Sequence, residues 1–163
     1  MQKKLYLCSV KKTNTEIERK FLVTDDGYKR LATSRCEICQ GYLCKDRGRT
    51  VRVRIVGDRA FLTVKSSQGQ AGIARFEWEH EISPQDAREL LALCLPGRIE
   101  KTRWIVPAQE EGLRWEIDEF HSPKAGLVMA EIELEDEAQT FLKPDFIGEE
   151  VTGRPEYYNA NMI

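Results

Sequence analysis

No apolar run in this chain approaches the ~20 residues a helix needs to cross a bilayer, so a spanning helix is excluded and no membrane partner is expected. Histidine is nearly absent: His80 and His121 stand alone and far apart, which rules out a Cys2His2 zinc module. Net charge is small too, −2 over 163 residues, with neither a basic arm nor an acidic tail, and no nucleic-acid partner is expected. The five cysteines, at 8, 36, 39, 44 and 94, are odd in number and make no complete disulfide framework. They point to reduced thiols in the cytoplasm. Cys36-x2-Cys39-x4-Cys44 lacks the second pair of a zinc ribbon; structural zinc is its weaker reading and semi-buried thiols its stronger one. The apolar stretch Leu5–Val10 is too short for a secretory signal and is closed by Lys11-Lys12. Residues 1–13 therefore read as a disordered or docking extension ahead of one domain over 14–163.

What the chain has in abundance is charge of both signs. Charged residues make up 32% and hydrophobic residues 41%, enough apolar content for one real core. Period-two alternation, the mark of a strand, runs through 50–55, 60–65, 75–82, 99–106, 113–120 and 127–134. Gly57-Asp58 is a hairpin turn, and the polar, glycine-containing 66–72 is a loop. Ser83-Pro84 opens a helix that Pro96-Gly97 ends. Residues 25–33 suggest a turn with a short helix, 135–142 a second short helix, and the tail a weakly helical end. Strands joined by hairpin-length links, with few helices, predict an antiparallel sheet with peripheral helices.

Residues two apart in a strand share a face. Acids recur in that spacing at Glu16/Glu18, Glu77/Glu79, Glu116/Asp118 and Glu131/Glu133, and bases at Arg52/Arg54 and Lys101/Arg103, with Lys20, Lys65 and Arg75 as singles. Opposite them lie Val51, Val53, Ile55, Phe76, Trp78, Trp104, Trp115, Ile117, Ile132 and Leu134. A one-sided sheet with its charged face in water would explain any single strand. It explains the set poorly, because the polar face has few Ser, Thr or Gln and groups like charges together, which costs energy without counter-ions. A closed sheet with the charges inside fits better: paired carboxylates suit hard divalent cations, and arginines suit phosphate oxygens.

Glu16-Ile17-Glu18-Arg19-Lys20 resembles the ExExK signature of the CYTH domain family, the triphosphate tunnel metalloenzymes. Val51-Arg52-Val53-Arg54, Thr63-Val64-Lys65, Glu77-x-Glu79 after Arg75, Glu100-Lys101-Thr102-Arg103, Glu116-Ile117-Asp118 and Glu131-Ile132-Glu133 follow in the family's order. The likeness spans about 14–160 and is strongest toward the short bacterial inorganic tripolyphosphatases. It implies a mainly β fold: an eight-stranded antiparallel closed β-barrel, with a few peripheral helices, whose tunnel takes a triphosphate and Mg²⁺ or Mn²⁺. By the same resemblance Glu16, Glu18, Glu131 and Glu133 are metal ligands, and Glu77, Glu79, Glu116 and Asp118 supporting acids. Lys20, Arg52, Arg54, Lys65, Arg75 and Arg103 grip phosphates, and Lys20 with Lys101 forms a water-activating pair. The implied reaction is metal-dependent hydrolysis of tripolyphosphate to pyrophosphate and phosphate. A class IV-type adenylyl cyclase and a thiamine or nucleoside triphosphatase are alternatives on the same fold, and the three tryptophans are its only candidates for stacking a base. A non-catalytic polyphosphate-binding module is the alternative of another class, though it would not need four carboxylate pairs. Two departures stand out: Arg154-Pro155-Glu156 is less basic than in similar enzymes, and little chain follows to plug a tunnel mouth. Whether the protein is a monomer or a homodimer is left open.

Overall fold

Nine strands and two short helices follow one another in a computed structural model that describes residues 14–46, 48–66 and 74–163. The 1–13 extension and nearly all of the 66–72 loop lie outside the described residues. The strands are β1 (Thr15–Val23), β2 (Ser34–Cys44), β3 (Arg49–Val56), β4 (Arg59–Ser66), β5 (Ala74–Ile82), β6 (Ile99–Pro107), β7 (Arg114–Ser122), β8 (Val128–Leu134) and β9 (Ile147–Glu150). The helices are α1 (Tyr28–Leu31) and α2 (Pro84–Ala92). Every pairing is antiparallel, in the order β5-β4-β3-β2-β6-β7-β8-β1-β9. The sheet closes where Thr15, Glu16 and Ile17 meet Phe76, Arg75 and Ala74. Eight strands thus form the barrel, and β9 extends the same edge of β1 beyond β5. Among the described residues no helix is long and apolar enough to cross a membrane.

The local reasons are legible. Gly57 takes φ +59° in the β3–β4 turn, a left-handed conformation glycine adopts without a Cβ clash. Ser83 caps α2 by accepting the Asp86 N–H at 3.0 Å. Ser83→Ala should cost about 1 kcal/mol and lower Tm by roughly 2–4 °C; a thermal melt checks it.

Two apolar clusters cover the barrel outside. Ala87 and Leu91 of α2 pack on Val53 and Ala60. Here helix and sheet approach closely: a Cβ on Gly41 would lie 3.0 Å from Cys94 Sγ. On the other flank Tyr28, Phe21, Trp115, Ile117, Ile132 and Phe146 form the larger cluster. The helix expected over 135–142 is absent. The Asp136 side chain accepts the Ala138 N–H at 2.8 Å and Gln139 accepts the Glu135 N–H at 2.7 Å, local bonds that compete with helix formation. The irregular segment instead delivers Phe141 to Trp115 and Phe21, with ring centroids 5.6 and 6.0 Å apart. Of β5 only Ile82 packs with the α2 cluster among the described residues, while Phe76 and Trp78 stay 46% and 41% exposed.

β2 is the strand that periodicity did not single out. It carries Cys36 and Cys39 three residues apart, hence on opposite faces. Cys36 stands opposite Arg103 on the inner face, while Cys39 packs outside with the α2 cluster. That geometry removes the zinc reading; the four described cysteines are free thiols.

Candidate active site

The charged faces point inward. A cavity of about 160 Å³ inside the barrel is lined by Glu16, Glu18 and Lys20 from β1, Arg52 and Arg54 from β3, and Lys65 from β4. Arg75, Glu77 and Glu79 from β5, Arg103 from β6, Glu116 from β7, and Glu131 and Glu133 from β8 complete the charged wall named from the sequence. Among the described residues seven carboxylates and seven basic side chains face this space, counting Arg114.

The charges interlock across strands. Lys65 Nζ lies 2.8 Å from Glu16 and 2.5 Å from Glu77, and Arg75 reaches Glu16 at 2.7 Å and Glu18 at 3.0 Å. Lys20 bonds Glu18 at 2.9 Å and also Glu131. Arg103 forks onto Asp118 with two bonds of 2.7 Å, reaches Glu131 at 3.1 Å, and pairs with Glu116. Arg52 and Arg54 share one carboxylate, Glu79, at 3.5 and 3.0 Å, and Thr63 donates to it at 2.7 Å.

Two features of this lattice are compatible with a further ligand. Glu18 stands directly opposite Glu133, and Glu116 opposite Glu131, like-charged neighbours kept together by Lys20, Arg75 and Arg103. The Nε–H groups of Arg52 and Arg54 are buried without a partner among the described residues. The oxygen-only donor set of Glu16, Glu18, Glu131 and Glu133 fits a hard cation such as Mg²⁺ or Mn²⁺. Glu16, Glu18 and Glu131 are each turned onto lysine or arginine, and among the described residues no three ligating side chains stand in metal geometry.

Burial works on these groups in opposite senses. Burial alone would raise the Glu131 carboxyl, but Lys20, Arg103 and Lys101 outweigh it and hold it well below the ordinary carboxylate range. Burial would lower the Lys20 ammonium; Glu131 and Glu18 more than reverse that, so its pKa is raised and it stays charged. Lys101 goes the other way: burial, assisted by Arg103 and opposed by Asp118, lowers it to about 8. Burial and the neighbouring Arg52 also lower Arg54 from its ordinary value.

Two residues of the expected set do not line the cavity. Lys101 and Asp118, only 2% and 1% exposed, form a 2.6 Å pair behind the wall. Arg103 covers Asp118 from the cavity side. Lys101 is one step nearer than Arg103 to the end where β6 begins, and there the interior is apolar: Tyr42, Ile99, Phe120 and Met129. Lys101 is thus paired with Asp118 rather than facing the cavity, while its charge still acts on Glu131, the partner of Lys20.

The wall also includes Tyr42, Thr50, Arg114, Tyr158, Asn159 and Ala160, none given a site role from the sequence. Arg114 was legible, two residues before Glu116 on the same face. Tyr42 was hidden with β2. Tyr158, Asn159 and Ala160 sit in irregular and 3₁₀ turns that leave no periodic trace. Arg154 turns away, exposed and paired with Glu149.

A family model for the CYTH domain matches residues 14–160. The chain belongs to the CYTH domain family. Within it, the chain is 48% identical over 149 residues to an inorganic triphosphatase of Acetivibrio thermocellus, covering 91% of this chain and 92% of that protein. It is 36% identical over 153 residues to an inorganic triphosphatase of Nitrosomonas europaea, covering 91% and 96%. The crystal structure of the inorganic triphosphatase NE1496 superposes with a TM-score of 0.61 at 34% identity, over 90% of this chain and 92% of that one. A structure of the putative adenylyl cyclase HpAC1 from Hippeastrum shares the fold alone, with TM-score 0.59 at 17% identity over 74% of this chain and 80% of that one. The closed antiparallel barrel expected of a CYTH domain is thus present, with β9 added to it.

Proposed function

We propose that this CYTH protein hydrolyses inorganic tripolyphosphate to pyrophosphate and phosphate with Mg²⁺ or Mn²⁺. One observation carries the reading: among the described residues acids and bases in equal number converge on one cavity inside the barrel, with two arginine donors there left without a partner. A balanced wall offers a polyanion little net attraction, so a cation arriving with it makes up the difference. Both curated relatives described above are inorganic triphosphatases, which supports the choice of substrate.

In this reading Arg52, Arg54, Lys65, Arg75 and Arg103 grip phosphate oxygens, Arg by forked hydrogen bonds. Lys20, held charged by Glu131 and Glu18, is a fixed cation beside the substrate. Glu16, Glu18, Glu131 and Glu133 hold the divalent ion, and Glu77, Glu79 and Glu116 are supporting acids near the incoming water. When bound, the ion neutralises phosphoryl oxygens and makes water a better nucleophile. Asp118 and Lys101 keep Arg103 in place. Deep in the barrel, away from its open end, screening of these charges by bulk water is reduced.

The cyclase alternative loses its base-stacking candidates. Trp115 is buried in the outer cluster, Trp104 packs against the same cluster, and Trp78 is exposed on the outside of β5. Free thiols throughout the described residues suit a reducing cytoplasm. A panel of tripolyphosphate, ATP, thiamine triphosphate and pyrophosphate, each with Mg²⁺ and Mn²⁺, tests the reading. Tripolyphosphate should give the highest kcat/KM; preference for ATP with cyclic product would favour the cyclase, and no turnover on any of them would leave only a binding module.

A further inference from the structure

The chain after β9 closes one end of the barrel, and it does so with residues that face the substrate space. Val151 N–H donates to the Lys20 carbonyl at 2.8 Å, and Lys20 N–H donates to Thr152 Oγ1 at 2.9 Å, hooking the segment onto β1 beside a cavity lysine. It then crosses the end where β2 finishes and β6 and β8 begin. Met162 is buried there with Tyr42, Ile99, Phe120 and Met129. Its other side looks into the cavity: Tyr158, Asn159 and Ala160 are wall residues, and Lys20 Nζ lies 5.9 Å from the Tyr158 ring centre. At the opposite end the wall opens. Side-chain exposure is 45% at Arg114 and 22% at Glu116, then 12% at Glu131 and 4% at Lys20. The tunnel therefore has a mouth at Arg114 and a floor at Tyr158.

We propose that Tyr158 and Asn159 are a stop against which the terminal phosphate of a linear polyphosphate rests, and that this stop selects which bridging bond is cleaved. The proposal rests on the triphosphatase reading. A chain entering from the mouth can advance only until its end meets the floor. The phosphorus at the acidic wall is then a fixed number of phosphates from that end. Water adds to that phosphorus, the P–O bond to one bridging oxygen breaks, and the departing fragment keeps that oxygen and its electron pair; the proton lost by the water ends on solvent or product. Sliding the chain by one phosphate would bring the next bond to the same place. Longer chains fit by projecting past Arg114.

Tripolyphosphate cannot report this, since its two bridging bonds are equivalent and either gives phosphate and pyrophosphate. Linear tetrapolyphosphate can: a terminal bond gives phosphate and tripolyphosphate, the central bond two pyrophosphates. Initial products from tetrapolyphosphate with Mn²⁺, separated by anion exchange, should show one pair in at least about tenfold excess for the wild type, a difference of roughly 1.4 kcal/mol between the two barriers. In the double variant Tyr158→Ala/Asn159→Ala both pairs should appear at comparable rates. Both residues are only half-buried and Met162 keeps the end anchored, so the variant should still melt cooperatively. If it does not, the two single substitutions carry the test. A mixed product pattern in the wild type, or one unchanged pair in a variant that still turns over, overturns the stop. Failure of the wild type to hydrolyse tripolyphosphate overturns the underlying reading instead.

Discussion

Glu18→Gln should leave the barrel standing and remove its activity. Glu18 is 9% exposed, lines the cavity, and bonds Arg75 at 3.0 Å and Lys20 at 2.9 Å. Glutamine keeps the shape and can still accept one of these bonds. It also relieves the repulsion from Glu133, which stands directly opposite. The stability change should therefore stay within about 1 kcal/mol. In the proposed mechanism catalysis depends on the full negative charge, because a carboxylate that helps hold a divalent ion supports several kcal/mol of transition-state stabilisation. Phosphate release from tripolyphosphate should fall roughly 10²- to 10⁴-fold with an unchanged melting curve. Near-wild-type turnover in a folded variant would mean that the acidic face of β1 plays no part in the chemistry.

Asp118→Ala should be the most destabilising single change among the charged residues discussed. It strands the buried Lys101, 2.6 Å from the carboxylate, and takes one of three acidic partners from Arg103, 2.7 Å from the same oxygen. Breaking a buried pair from one side costs about 3–5 kcal/mol, which for a chain of this size lowers Tm by roughly 6–20 °C. Replacing both partners is different: in Asp118→Leu/Lys101→Met, Arg103 still has Glu116 and Glu131. That double variant should recover most of the lost Tm while kcat stays low, because Arg103 has lost the anchor that aims it. A double variant no more stable than Asp118→Ala would contradict the pairing.

The same pair sets a pH signature. Lys101 in the fold releases its proton near 8, below its ordinary 10.5. Between these values the unfolded chain binds more protons, so this group's contribution to stability rises with pH across about 8 to 10.5 and is lost as pH falls through 8. Lys101→Met should flatten that part of a Tm-against-pH curve. Asp118 and Glu131 behave as carboxylates with lowered pKa: burial opposes but Arg103 and Lys20 respectively dominate, so their contribution is complete above pH ~4.5 and lost in stronger acid.

Six of the eight barrel strands were legible from alternation because each has one charged and one apolar face; β1 was marked by Glu16-Ile17-Glu18. Which face lies inside was decided by grouping of like charge and by family resemblance, since a solvated sheet would show the same period. β2 escaped because Gln40, Gly41 and three cysteines blur the contrast between its faces. The floor escaped for a different reason. Tyr158 and Asn159 are brought to the cavity by long-range anchoring of Val151 and Thr152 on β1, which no local pattern encodes. Lys101 sat correctly on the inner face, but its depth depends on how far the apolar end fills the barrel.

The most direct test is phosphate release from tripolyphosphate by the wild-type protein as Mn²⁺ is titrated in and then removed by chelation. Turnover that appears with the ion, saturates, vanishes on chelation and returns on re-addition is the predicted result. Tripolyphosphate left intact at every Mn²⁺ concentration, or hydrolysed equally fast with chelator present, would contradict the tunnel as a metal-dependent triphosphatase.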